Sequence, residues 1–129
     1  MAMKSVGDMV KAAKAEIETM PPEDAIARMN DEDFLLVDIR DPRELEREGR
    51  IPGAFHAPRG MLEFWVEPTS PYYKPVFGEG KKYVFFCAAA GRSALSVQTL
   101  QNMGMENIAE LGGGFKGWRE AGGPVDKSE

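Results

Sequence analysis

Two uninterrupted apolar runs constrain this chain more than any other feature: Phe34-Leu35-Leu36-Val37, closed by Asp38, and Tyr83-Val84-Phe85-Phe86, closed by Cys87. A strand with one wet face alternates apolar and polar residues, so continuous runs of this length point to strands covered on both faces, as in parallel sheets. Ala54 to Ala57, Ile108 to Leu111 and Ala15 to Thr19 read as three shorter strands. Helices are expected between them. Pro21-Pro22-Glu23-Asp24 puts proline and acids where a first turn favours them, opening a helix that carries Ala25, Ile26 and Met29. Asp41-Pro42-Arg43-Glu44 supplies an N-cap, a proline at the first helical position and an acid at the third, which predicts a helix over 42–48. Ile51-Pro52-Gly53 reads as a turn, Ser93 to Met103 as a helix with Leu95, Val97, Leu100 and Met103 at helical spacing, and Phe115 to Glu120 as a last helix. Strands alternating with helices define the α/β class: a central, mostly parallel five-stranded sheet with helices on both faces, three layers in all. Ligands in such folds bind beyond the carboxyl ends of the strands, at helix N-termini. Cys87 falls at such a place.

The chain has 129 residues, 43% hydrophobic and 29% charged, the size and mixture of one globular domain that buries enough surface to need no metal or disulfide staple. Cys87 is the only cysteine and His56 the only histidine, so an internal disulfide and a closed zinc site are excluded and a reducing compartment is compatible. A net charge of −5 argues against nucleic acid or an anionic membrane as partner, so an anion site has to be built locally. No apolar segment near the N-terminus resembles a signal peptide or a membrane span, and a cytoplasmic location is the default. Val6, Met9, Val10 and Ala13 share one helical face, which predicts an amphipathic helix over 5–14 that packs on the domain or on a partner. The expected organisation is therefore an N-terminal helix in 1–14 and a single domain in 15–129. That domain carries an irregular insertion, 58–80, with Pro58, Pro68, Pro71 and Pro75 around Phe64, Trp65, Tyr72, Tyr73 and Phe77. So many aromatics make it either a wall over the Cys87 pocket or a cover for the core.

A lone cysteine ending an apolar strand is in general a small buried hydrophobe. The residues after Cys87 favour chemistry instead. Ala88-Ala89-Ala90-Gly91-Arg92-Ser93 forms a loop of small residues entering a helix, so successive amides can curl around one point while the helix dipole adds positive potential. The same field stabilises thiolate over thiol, and Arg92 can add a full charge. Cys87 is a candidate nucleophile inside an anion cradle.

The chain resembles single-domain rhodanese-type sulfurtransferases. The resemblance is carried in order by Leu36-Val37-Asp38-Ile39-Arg40 with Glu44, by Gly49-Arg50-Ile51-Pro52-Gly53-Ala54, by Cys87 through Ser93, and by Leu111-Gly112-Gly113-Gly114-Phe115 with Gly117-Trp118 and Gly123-Pro124-Val125. It implies a rhodanese-like three-layer fold, no cofactor and no metal. Cys87 would accept a sulfane sulfur as a persulfide from a small sulfur-containing anion such as thiosulfate, then pass it to cyanide, a thiol or a protein acceptor. The amides of Ala88, Ala89, Ala90, Gly91 and Arg92 would hold the outer sulfur, Arg92 would orient the donor, and Ser93 would bond into the loop or to the thiolate. Asp38 and Arg40 match positions that support the fold and pocket. The related cysteine phosphatases have a C-x₅-R loop, one residue longer than the C-x₄-R here, so the shorter cradle favours sulfur.

Departures from the family pattern bear on rate. Ala90 stands where glycine is common, and its methyl restricts a backbone that needs positive φ, unless Gly91 absorbs the turn. Arg50 replaces a common histidine, His56 a common asparagine, and Arg92 is the loop's only charge, so thiosulfate turnover is expected to be weak. The alternative function is a catalytically weak rhodanese-like module that binds a partner protein through the aromatic insertion. His56 reads as a strand histidine bonded to backbone or solvent, the eight methionines as core filling, and Lys116 and Arg119 as a solvated helix face rather than a pocket rim.

Overall fold

A computed structural model describes residues 2–127. Five strands, β1 (Thr19–Met20), β2 (Phe34–Asp38), β3 (Phe55–His56), β4 (Lys82–Phe86) and β5 (Ile108–Leu111), form one sheet in the order β1-β5-β4-β2-β3. Every ladder is parallel. The two long apolar runs lie side by side at its centre, with Val37 opposite Phe85 and Asp38 opposite Phe86. Their alternation serves two cores. Leu35, Val37, Tyr83, Phe85 and Cys87 face one layer with Val97 and Leu100, while Phe34, Leu36, Val84 and Phe86 face another with Ala25, Phe115 and Trp118. Both faces being covered explains why neither run contains a polar residue.

The helices are α1 (Val6–Glu16), α2 (Pro22–Arg28), α3 (Pro42–Glu48), α4 (Leu62–Val66), α5 (Gly91–Met103) and α6 (Gly114–Glu120). Helix α3 starts as its sequence predicts: Asp41 accepts from the Arg43 amide at 2.9 Å and Glu44 accepts from the Asp41 amide at 3.1 Å. No helix among the described residues is long and apolar enough to cross a membrane.

Three expectations change. The segment 15–19 is not a strand throughout, because α1 runs on to Glu16, whose carboxylate and carbonyl accept from Gln98 and Gln101 of α5 at 2.9 Å each; the strand is Thr19–Met20. The insertion 58–80 is not wholly irregular: it holds α4 and two 3₁₀ turns, Arg59–Met61 and Pro75–Gly78, because Leu62 and Val66, one turn apart, both reach the core. Of the methionines, Met20 is buried and Met29 and Met105 pack against the cores, but Met3, Met9 and Met103 are exposed.

At the end of β2, Asp38 forms a buried ion pair with Arg40 just beyond it, each 1% exposed. Arg40 Nε donates to Asp38 Oδ1 at 2.9 Å and Nη2 to Oδ2 at 2.7 Å. The same Nη2 reaches the Gly49 carbonyl at the end of α3, 2.9 Å away, and the guanidinium lies 4.2 Å from the centre of the Phe115 ring on α6. The pair thus joins β2, α3 and α6. Removing one member of such a pair leaves the other charge buried and uncompensated, so Arg40→Met should lower the free energy of unfolding by about 3–5 kcal/mol in urea denaturation. A loss below about 1 kcal/mol would show that the pair does not hold these elements.

Candidate active site

Strand β4 ends at Phe86, and Cys87 is the first residue beyond it, at the carboxyl edge of the sheet. Its thiol is 1% exposed and points into the first turn of the thirteen-residue helix α5. Sγ accepts the Ala90 amide at 3.2 Å and the Ser93 amide at 3.4 Å. No side-chain oxygen caps α5, so the sulfur satisfies amides that a capping serine or aspartate would otherwise take. Ser93 Oγ is 3.6 Å from Sγ.

The backbone explains why these amides point inward. The carbonyls of Cys87 and Ala88 turn the other way and accept the Phe115 and Lys116 amides of α6 at 2.8 and 3.1 Å. That approach requires glycine at 114, where φ is +60° and a Cβ would lie 2.6 Å from the Cys87 carbonyl oxygen. The run Gly112-Gly113-Gly114 is therefore part of the cysteine loop's support, a role its sequence position alone did not reveal. The sharp turn falls on Ala90, at φ +99°, whereas Gly91 enters the helix and absorbs none of it. A methyl-bearing residue in this region costs about 1–2 kcal/mol, partly offset in glycine by unfolded-chain entropy. Ala90→Gly should accordingly raise stability by up to about 1 kcal/mol, measured as a higher denaturation midpoint with an unchanged slope.

Burial pushes the Cys87 thiol up, but hydrogen bonds from the Ser93 hydroxyl and from the Ser93, Ala90 and Ala89 amides outweigh it, leaving the pKa below the ordinary cysteine value. With the thiol protonated, the Ser93 hydroxyl accepts from Sγ and donates its own hydrogen to Glu110 Oε1 at 3.2 Å. Glu110 is fully buried on β5, and its other oxygen accepts from Lys14 Nζ at 2.7 Å and from Thr19 Oγ1 at 3.0 Å. This carboxylate lies outside the motifs that mark the site in the sequence, although a glutamate inside the four-residue strand Ile108–Leu111 is itself a signal.

Arg92 sits at the mouth, but it is not a free cation. Its Nη1 and Nη2 donate to the two oxygens of Glu44 at 2.7 and 2.9 Å, which raises the pKa of Arg92 and lowers that of Glu44. Glu44 was legible as a helix-start residue; its grip on Arg92 depends on α3 and α5 meeting in space. Asp38 and Arg40 stand behind the loop, and Arg40 stacks on the Phe115 ring whose own amide holds the Cys87 carbonyl. His56 Nε2 is 2.7 Å from the Arg40 carbonyl, the backbone-bonded histidine expected. Arg119 is half exposed, 3.6 Å from Glu48, and Lys116 is exposed.

Two openings flank the loop. A cleft of about 210 Å³ is lined by Asp41, Pro58, Arg59 and Arg92 among others, so the start of the insertion forms part of a wall there. Its aromatics mostly cover the core instead: Phe77 packs on Tyr83 and Phe85, and Trp65 on Phe55. An apolar groove of about 390 Å³ lies on the other side, between the loop and α1.

Comparison with known proteins agrees with this geometry. The rhodanese-like domain family matches residues 21–121, and the chain belongs to that family, one of sulfurtransferase type. An uncharacterised protein of Synechocystis sp. is 34% identical over 74% of this chain and 48% of its own length. The chain spans 40–60% of the length of the curated relatives it matches. A solved structure from Rhodopseudomonas palustris, described as a protein of unknown function and possible tyrosine phosphatase, is 50% identical, with TM-score 0.92 over 98% of this chain and 97% of that one. The polysulfide-sulfur transferase homodimer of Wolinella succinogenes is 32% identical, with TM-score 0.70 over 95% of this chain and 87% of that one.

The serine oxygen accepts from the neutral thiol, and its hydrogen can turn to an ionised sulfur, where a charge-assisted bond is the stronger, so deleting it removes more stabilisation from thiolate than from thiol. Ser93→Ala should move the pH midpoint of Cys87 alkylation upward, followed by iodoacetamide incorporation against pH. An unchanged or lower midpoint would rule out the hydroxyl as a thiolate donor.

Proposed function

We propose that the protein is a sulfurtransferase that carries sulfane sulfur as a persulfide on Cys87. The observation that carries this reading is the sulfur itself, capping α5 with two amides directed at it and the Ser93 hydroxyl 3.6 Å away. A thiolate there attacks the outer sulfur of thiosulfate or a similar small anion. The donor's S–S bond breaks, sulfite leaves with the electron pair, and Cys87–S–S⁻ remains. The persulfide is anionic near neutral pH, so the Ala89, Ala90 and Ser93 amides and the helix terminus that favour the thiolate also favour the product, with the amides of Ala88 to Arg92 left to hold the outer sulfur. The two arginines nearest the loop, Arg59 and Arg92, are both carboxylate-bound, Arg59 to Glu63 at 2.7 Å, which supports slow turnover of a dianion. With a single thiol the sulfur cannot leave by an internal disulfide, so its acceptor is external: cyanide, a small thiol or a protein.

Phosphate-ester hydrolysis is the poorer fit. Four residues separate Cys87 from Arg92, and Glu44 occupies the guanidinium edge that would have to bind phosphate oxygens. A second reading, a partner-binding module, draws on the exposed edge-to-face pair Phe64 and Tyr72, with ring centres 6.3 Å apart on the insertion. Trp65 of the same insertion packs against Phe55 instead. Incubation of the reduced protein with thiosulfate should add about 32 Da, one sulfur atom, at Cys87 by mass spectrometry. No adduct with thiosulfate or with polysulfide would overturn the enzymatic reading.

A further inference from the structure

Helix α1 lies outside the residues that match the family, yet it is built into the site. Ala13 is fully buried, Lys14 pairs with Glu110 at 2.7 Å, and Glu16 takes Gln98 and Gln101 of α5. Docked in this way, α1 presents Val6 and Val10 to a groove whose other sides are Leu95, Ala88, Ala89 and Cys87. Arg92, the one charge at its rim among the described residues, is neutralised by Glu44. An apolar channel that opens on the nucleophile beside a neutralised arginine is poorly matched to a dianion and well matched to a hydrocarbon substituent.

We propose that this groove selects the sulfur acceptor, and that the acceptor is an organic thiol carrying an apolar alkyl or aryl group that lies against Val6, Val10 and Leu95. The inference rests on the persulfide reading of Cys87. The acceptor thiolate, its proton released to solvent, attacks the outer sulfur of Cys87–S–S⁻. A new S–S bond forms on the acceptor, the bond to Cys87 breaks, and its electron pair returns to Cys87 as thiolate. No oxidant or reductant is consumed.

The test uses the full chain loaded with one sulfur and two acceptors of equal length, butanethiol and mercaptopropanol, which differ by a terminal methyl against a hydroxyl. Single-turnover rates, expressed per thiolate, should favour butanethiol by about tenfold, the scale set by withdrawing one or two apolar carbons from water. Val6→Thr combined with Val10→Thr keeps shape while adding hydroxyls, and should bring the ratio close to one. Val6 is 67% exposed, so Val6→Thr alone retains the fold and should lower the ratio in part. Met9→Thr, on the same helix but outside the groove, should leave it unchanged. Equal rates in the unmodified protein, or a ratio untouched by the double substitution, would overturn the proposal while leaving the persulfide reading intact. Failure of Cys87 to gain sulfur at all would overturn both, and is recognised by the missing mass increase before any acceptor is added.

Discussion

The guanidinium of Arg40, buried beyond the end of β2, is the contact on which the rest of the structure depends. A buried cation is tolerable only if its donors are satisfied and its charge is matched. Asp38 supplies the charge, the Gly49 carbonyl takes a further hydrogen, and the Phe115 ring covers one face. Each partner comes from a different element, so satisfying one side chain sets the positions of β2, α3 and α6 together. Phe115 then donates its amide to Cys87. The distance from the ion pair to the thiol is thus spanned by one aromatic residue.

The second constraint is polarity within the cysteine loop. A short peptide segment has amides on one side and carbonyls on the other, and both need partners. Helix α6 takes the carbonyls of Cys87 and Ala88, which leaves the amides of Ala90 and Ser93 for the sulfur. Gly114 allows the approach, and Ala90 takes up the turn at positive φ. The thiol's lowered pKa is a consequence of this arrangement: burial alone would raise it, and directed hydrogen bonds reverse the sign.

Much of this was legible in the amino-acid order. The two apolar runs announced a doubly covered parallel sheet, because no half-exposed strand would tolerate four consecutive apolar residues. Asp41-Pro42-Arg43-Glu44 is a local device, so α3 could be read to its bounds. Local signals failed where another element decided the outcome. The end of α1 is set by Gln98 and Gln101 of α5, and α4 forms because Leu62 and Val66 find the core. Neither fact is written in the segment concerned.

The site divides in the same way. The amino-acid order alone determined that a cysteine comes directly after a buried strand and precedes a loop of small residues and a helix. Strand-to-helix turns in parallel sheets aim amides past the sheet edge, so the anion cradle is a product of local rules. Only the tertiary structure decided that Arg92 is held by Glu44, that a buried Glu110 stands behind Ser93, and that α1 lines an apolar groove along the cysteine loop. These are contacts between residues 48, 17 and about 80 positions apart, and no periodicity or cap in one segment carries information about where a distant segment will dock.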